Sequence, residues 1–249
     1  PCSKAAIIGA RGGSVRIPGK NTKKIGGHPL IAHAVQASID SGVFDTVVVS
    51  SDDYEIRRIS LDYGADLVID RDPAIATSTS PDILFIQDVL RRLPSLPDVF
   101  ALVRPTSPFR TGDTIRKAVE EFMSDRKADS LRSVVPARQH PGKMFRINDG
   151  YLSSIMPWET QQGVPWHSSQ YASLPEIWEQ TGTLDVAWSH LPLTQGTLSG
   201  RNILAFKISG YEGFDIDWPE EWDYAEWVAS TGRAELPLKN MVLEEAAPD

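Results

Sequence analysis

Over its first 135 residues the chain alternates short, continuous apolar runs with segments of helical period, and this restricts its fold more than any other feature. Ala5-Ala6-Ile7-Ile8-Gly9-Ala10, Thr46-Val47-Val48-Val49-Ser50, Leu67-Val68-Ile69, Val99-Phe100-Ala101-Leu102-Val103 and Ser130–Val135 read as strands. Between them, Pro29–Ile39, Tyr54–Tyr63, a segment from Ser80-Pro81-Asp82 to Leu93, and Thr111–Met123 read as helices. The first of these helices carries Leu30, Ile31, Val35 and Ile39 on one face. Strands without polar alternation are buried on both faces, as in a parallel sheet between two helical layers. The expected fold is therefore α/β, a Rossmann-like and mostly parallel sheet with helices on both faces. Its ligand belongs at the carboxyl ends of the strands.

From about residue 140 the pattern breaks. Residues 140–180 are rich in Gly, Pro, Ser, Gln and Trp and read as an insertion, which divides the chain into 1–139, 140–180 and 181–249. Regular elements return at Gly182–Trp188 and Ile203–Ile208, with a final helix over Pro219–Ala229 and a loose acidic tail. All seven tryptophans lie at or beyond Trp158, so the two halves differ in character. Trp218, Trp222 and Trp227 read as helix packing.

A net charge of −8 argues against a general nucleic-acid or anionic-membrane surface, while leaving room for a local basic pocket. No apolar run is long enough to span a membrane. The chain enters a strand-like segment almost at once, which leaves no space for a signal peptide, and its single cysteine suits a reducing cytoplasm.

The main chemical signal follows the first strand: Ala10-Arg11-Gly12-Gly13-Ser14-Val15-Arg16-Ile17-Pro18-Gly19-Lys20-Asn21. Adjacent glycines let backbone N–H groups approach an anion, and Arg11, Arg16 and Lys20 add three cations. Backbone donors together with cations suit a triphosphate. The loop has neither the G-x-G-x-x-G nor the G-x-x-x-x-G-K-[ST] spacing.

In this loop the chain resembles the acylneuraminate-type cytidylyltransferases, the CMP-sugar synthetases that activate sialic acids and related 2-keto-3-deoxy acids with CTP. Val48–Asp53, Arg104-Pro105-Thr106-Ser107-Pro108-Phe109-Arg110, His140-Pro141-Gly142-Lys143 and Asp215-Ile216-Asp217 extend the resemblance in order along nearly the whole chain. It implies a nucleotide site of Ala10, Arg11, Gly12, Gly13, Ser14, Arg16, Lys20, Asn21, Arg71, Ser80 and Asp82. For Arg71 a surface pairing with Asp70 or Asp72 is the alternative, and for Ser80 and Asp82 it is helix capping. The acceptor side would be Arg104, Thr106, Ser107, Lys143, Gln180 and Thr181.

Asp215 and Asp217 alternate along an extended segment, which places both carboxylates on one face and suits Mg²⁺. The implied reaction is attack of a sugar's anomeric hydroxyl on the α-phosphate of CTP, with Arg11, Lys20 and Asp217 as catalytic residues and release of pyrophosphate. Residues 140–180 match the family's dimerisation lobe, so a homodimer is expected, with Trp158, Trp166 and Trp178 either at the interface or in a local core.

The chain departs from the family in three places. Val15 stands where the family often has lysine, with Arg16 as the candidate replacement. The acceptor stretch Trp178–Asp185 lacks the family's arginine, and Arg104 replaces a glutamine. An added cation there implies an acidic acceptor held differently, or a nine-carbon acid with altered substituents. Two rivals remain: a same-fold cytidylyltransferase for a shorter keto-deoxy sugar acid or a phosphonate, and a non-catalytic nucleotide-binding relative.

Overall fold

A computed structural model describes residues 2–156 and 163–239. The elements run β1 (Lys4–Gly9), β2 (Lys24–Ile25), β3 (His28–Pro29), α1 (Leu30–Ser41), β4 (Thr46–Ser51), α2 (Tyr54–Asp62), β5 (Leu67–Asp70), α3 (Asp82–Arg92), β6 (Val99–Leu102), α4 (Gly112–Ser124) and β7 (Ser130–Pro136). They continue through β8 (Phe145–Asn148), β9 (Tyr151–Ser154), β10 (Trp178–Trp188), β11 (Ile203–Lys207) and α5 (Pro219–Ser230). The expected elements are present, with ends shifted by a few residues. Trp158 and most of the acidic tail lie outside the described residues.

The chain forms two compact units. One comprises residues up to Ser133 together with those from Thr181 on; the other is Val134–Gln180. In the first, a seven-stranded sheet has the order β11-β7-β10-β6-β1-β4-β5. β1 is parallel to β4 and to β6, β4 is parallel to β5, and β10 runs antiparallel to β6. From β1 the chain moves outward through β4 to β5, then returns to β6 on the other side of β1. This reversal opens a crevice at the carboxyl ends of β1 and β6, where open α/β sheets bind ligands.

Two apolar clusters hold the crevice in place. Phe85, Ile86, Val89 and Leu90 of α3 pack on Ile7, Val48, Ile69, Phe100 and Leu102 of the sheet. Trp222, Ala225 and Val228 of α5 pack with Ile17, Ile25, Leu30, Phe109 and Ile216, tying the first loop to the late acidic segment. Burying such a set stabilises by about 1.5–3 kcal/mol for each large side chain.

Two expectations about helix faces differ from the structure. Ile39 is exposed, because α1 also packs against α2 and α4 and buries Ala34, Ala37 and Ser38 instead. Of the three late tryptophans only Trp222 is fully buried, whereas Trp218 and Trp227 are about half exposed. Trp218 precedes the helix, and five residues at about 100° each turn Trp227 roughly 140° away from the buried Trp222.

In the second unit β8 and β9 form an antiparallel hairpin turned by Asp149 (φ 51°) and Gly150 (φ 85°), the positive-φ pair that a tight hairpin needs. Ile147, Tyr151 and Leu152 stand exposed on it. His140 stacks on Trp166 at 5.4 Å, and Trp178 lies at the start of β10.

Candidate active site

A cavity of about 350 Å³ occupies the crevice. Its walls bring together Arg11, Ser14, Lys20, Asn21, Arg71, Ser80, Asp82, Arg104, Thr106 and Asp217, all named from the sequence. Gly9, Thr77, Ser78, Phe85 and Leu102 complete much of the remainder.

Gly9 ends β1 where the backbone meets Phe85 and Arg71 closely, and a Cβ there would lie 2.6 Å from the Phe85 ring. Beyond it the loop is tied down by its own polar groups. Ala10 N–H donates to the Ser50 carbonyl (3.0 Å), Gly12 N–H to Asp52 Oδ1 (3.0 Å), and Ser14 N–H to the Gly12 carbonyl (3.0 Å). The Gly12 and Ser14 amides are thus already engaged within the loop and with Asp52. Asn21 is buried and donates from Nδ2 to the Arg11 carbonyl (3.0 Å), which closes the loop into a ring. Gly13 is exposed, and so is Val15, at 75%.

Lys20 Nζ donates to the Ile216 carbonyl (2.9 Å) and lies 3.7 Å from Asp217 Oδ1. Burial pushes its pKa below the ordinary lysine value, with Asp217 opposing the shift. Arg16 lies 4.0 Å from the same oxygen, with its guanidinium 4.3 Å over the Trp218 ring. Both Arg16 and Asp217 line an adjoining pocket that shares Arg11, Ser14 and Lys20 with the first.

Arg71 is buried rather than lying on the surface. Its Nε and Nη2 donate to Ser50 Oγ (3.0 Å) and the Ser50 carbonyl (2.8 Å), and its guanidinium lies 4.2 Å over Phe85. Asp70 pairs with Arg57 and Asp72 accepts from Ala74 N–H, so neither holds Arg71. The capping alternative for Ser80 and Asp82 also gives way. Pro81 occupies the cap position of α3 with no side-chain hydrogen bond, Ser80 Oγ engages Thr77, and Asp82 pairs with Arg104.

Arg104 is not an open cation. Nη2 donates to Asp82 Oδ2 (2.8 Å) and Nη1 to Asp185 Oδ2 (2.7 Å), and the same Asp185 oxygen takes Arg132 Nη1 (2.6 Å). Burial opposes the charge on Arg104, yet Asp185 and Asp82 lift its pKa above the ordinary arginine value. Asp185 and Arg132 are partners that sequence reasoning missed. An acid inside the apolar run Leu184-Asp185-Val186 was the available signal, because a buried carboxylate needs a cation.

Several expected residues stand outside the cavity wall. Ser107 is buried and donates to Asp215 Oδ1, Gly182 N–H donates to Asp215 Oδ2 (2.7 Å), and Thr106, itself on the wall, donates from Oγ1 to Asp215 Oδ1 (3.3 Å). Thr181 is buried in a hydroxyl network with Ser133 and Thr183. Lys143 and Gln180 belong to the second unit, where Lys143 Nζ donates to the carbonyls of His167 (3.1 Å) and Ser169 (2.8 Å), and Gln180 is exposed.

The two candidate metal acids differ in setting. Asp215 to Asp217 belong to no strand, Ile216 N–H donates to the Thr106 carbonyl (2.8 Å), and different neighbours engage each carboxylate. Both Asp215 oxygens accept internal donors, whereas Asp217 is about half exposed on the cavity wall. Among the described residues no group of three or more His, Cys, Asp or Glu side chains is arranged to hold a metal. Mg²⁺ in a phosphate site takes one or two carboxylates and fills its shell with phosphate oxygens and water. Asp217 fits that demand, and Asp215 does so only by giving up hydroxyl donors.

Comparison with known proteins gives the family. A family model described as Cytidylyltransferase matches residues 5–144. CMP-N,N'-diacetyllegionaminic acid synthase of Legionella pneumophila is 34% identical over 228 residues, covering 89% of this chain and 94% of that protein. N-acylneuraminate cytidylyltransferase A of Danio rerio is 31% identical over 222 residues; the match covers 89% of this chain and 50% of that longer protein. Among solved structures, CMP:2-keto-3-deoxy-manno-octonic acid synthetase complexed with CTP superposes with a TM-score of 0.69 at 14% identity, covering 92% of this chain and 99% of that one. Sequence and fold agree over most of the length, and the chain belongs to the cytidylyltransferase family.

Proposed function

We propose that the chain transfers CMP from CTP to the anomeric hydroxyl of an acidic 2-keto-3-deoxy sugar, a sialic-acid-like nine-carbon acid, and releases pyrophosphate. The observation that carries this reading is the meeting of Arg11, Lys20, Arg71 and Asp217 in one cavity at the switch point of the sheet. The relative from Legionella pneumophila, matched over nearly its full length, is named for the same class of product.

The acceptor oxygen attacks the α-phosphorus, the bond to the bridging α–β oxygen breaks, and pyrophosphate carries away the electron pair. Arg11 and Lys20 line the cavity as cations for the phosphate oxygens, where negative charge spreads in the transition state. The pairing of Lys20 with Asp217 keeps the ammonium aimed at the cavity before nucleotide arrives. Asp217 is the carboxylate suited to hold Mg²⁺, which when bound would neutralise phosphate charge. The hydroxyl proton leaves to a basic group at the same place, and Asp217 is this chain's carboxylate on that wall.

A homodimer is part of this proposal, supported by the exposed apolar side chains of the β8–β9 hairpin. So is a cytoplasmic location, supported by the single free cysteine, Cys2. No helix among the described residues is long and apolar enough to cross a membrane. The test is pyrophosphate release from protein, CTP and Mg²⁺ with a panel of keto-deoxy sugar acids. Release with at least one nine-carbon acid is expected, and silence across the panel favours a non-catalytic binding role.

A further inference from the structure

We propose that Arg104 serves the nucleoside rather than the acceptor: it is a positioning residue that fixes the Asp82 carboxylate as a hydrogen-bond acceptor for donor groups of the bound nucleotide. This rests on the reading of the cavity as a CTP site.

The argument starts from a line of alternating charge. Arg132 on β7, Asp185 on β10, Arg104 after β6 and Asp82 at the start of α3 are joined by ion pairs of 2.6, 2.7 and 2.8 Å. Two cations and two anions cancel, so this wall offers an incoming carboxylate no net attraction. Both Nη atoms of Arg104 already face a carboxylate, and a third would meet Asp82 and Asp185 at close range. An acceptor acid therefore does not find its counter-ion here, contrary to what an added arginine suggests.

Asp82 is the end of the line that faces ligand. Its side chain is 43% exposed and lines the cavity, while Asp185 at the other end of Arg104 is nearly buried. An ionised carboxylate only accepts hydrogen bonds, so it repels phosphate and reads hydroxyl or amino donors. Arg11 and Lys20 supply the phosphate charge in the same cavity, whose volume of about 350 Å³ suits a single small ligand. A triphosphate resting on these cations leaves its nucleoside for the Asp82 wall. The donors there are the ribose hydroxyls and the amino group of the base.

Arg104 fixes which way the carboxylate points. Asp82 has no other hydrogen-bond partner among the described residues, and without Arg104 its rotamer is free. Asp185, doubly held by Arg104 and Arg132, keeps the guanidinium in place in turn.

Titration calorimetry of CTP into the intact protein, with no acceptor present, tests this. Asp82→Asn and Arg104→Gln are expected to weaken CTP binding by about tenfold or more, the usual range for a hydrogen bond to a charged group, with a smaller loss for Arg104→Lys. The same titrations with 2′-deoxy-CTP and with UTP identify the donor. The preference for CTP over one of these analogues should collapse in Asp82→Asn, to 2′-deoxy-CTP if the ribose is read and to UTP if the base amino group is read. Acceptor KM at saturating CTP should stay within about twofold, as expected when no acceptor contact is lost. Unchanged CTP affinity and nucleotide preference in Asp82→Asn would overturn the proposal, as would a rise in acceptor KM alone in Arg104→Gln. Asp82→Asn leaves the Arg104–Asp185 pair intact and Arg104→Lys keeps the charge, so the nucleotide contact and the positioning role are each still read if Arg104→Gln fails to fold. A wild-type protein that binds no CTP would overturn the CTP reading itself, a separate result from equal binding by wild type and variant.

Discussion

Lys20 and Asp217 meet at 3.7 Å, joining the loop after the first strand to the acidic segment that precedes the last helix. The Lys20 ammonium also donates to the carbonyl of Ile216, so it is oriented by backbone as well as by charge. Packing of Ile17, Ile216 and Trp222 in one cluster holds the two segments together at this contact. A cation and a carboxylate thereby stand side by side on the cavity wall.

Asp217→Ala should abolish metal-dependent turnover, lowering kcat by at least about 10²-fold, the scale of a lost transition-state charge contact. The side chain is about half exposed, so the thermal midpoint should stay near that of the wild type. Steady-state kinetics beside a melting curve checks both, and unchanged turnover would remove Asp217 from the mechanism.

Gly9→Ala should damage both fold and nucleotide affinity. The new methyl would lie 2.6 and 2.9 Å from the Phe85 ring and 3.0 Å from Arg71 Nη2. Phe85 is buried among α3 and sheet residues and cannot swing away freely. Overpacking of this kind costs about 1–3 kcal/mol, to be read by urea unfolding, and displacement of Arg71 should weaken CTP binding.

His33 should make stability depend on pH. It is buried, donates from Nε2 to the Ile25 carbonyl (2.9 Å), and accepts the Leu238 N–H at Nδ1 (3.3 Å), an arrangement that requires the neutral ring. Burial depresses its pKa to about 4, and the nearby His28 and Arg110 add to the effect against the Ile25 hydrogen bond. Between pH 6.5 and 4 the unfolded chain binds a proton that the folded protein does not, so stability is full above this window and falls as pH drops through it. The loss should be roughly 2 kcal/mol at pH 5 and about 3 kcal/mol near pH 4. Urea titrations at pH 7 and pH 5 should show it, and His33→Gln should flatten the difference.

Ile147→Asp combined with Leu152→Asp should convert a dimer to a monomer in sedimentation or light-scattering measurements. Both side chains are exposed on the β8–β9 hairpin, so the fold of the isolated chain should tolerate the change. An unaltered mass would place any interface elsewhere.

What the sequence reveals and what it conceals follow from distance along the chain. Arg11 and Lys20 were legible as cations in a glycine-rich loop just after a strand, whereas Asn21 was named through the family resemblance. Asp217 was legible from its alternation with Asp215 and from the family resemblance, but nothing in Asp215-Ile216-Asp217 says that Lys20 lies opposite. Two-residue alternation puts both acids on one face, but the segment is not a strand in a ladder. Asp215 is engaged by Ser107 and Gly182 while Asp217 stays on the cavity wall. Arg71 allowed two readings, a nucleotide contact or a surface pairing with its flanking acids; Asp70 pairs outward with Arg57 and Arg71 turns inward to Ser50. Arg104 looked like a new cation for the acceptor because its partners, Asp82 and Asp185, come from a helix and a strand far away in sequence.

The most direct measurement of the central claim is phosphorus NMR of protein, Mg²⁺, CTP and a nine-carbon keto-deoxy acid. The account predicts that CTP resonances are replaced by pyrophosphate and a CMP–sugar phosphodiester in equal amounts, dependent on the acid and lost in Asp217→Ala. CTP that remains intact with every acid tested, or pyrophosphate formed with free CMP and no phosphodiester, would contradict it.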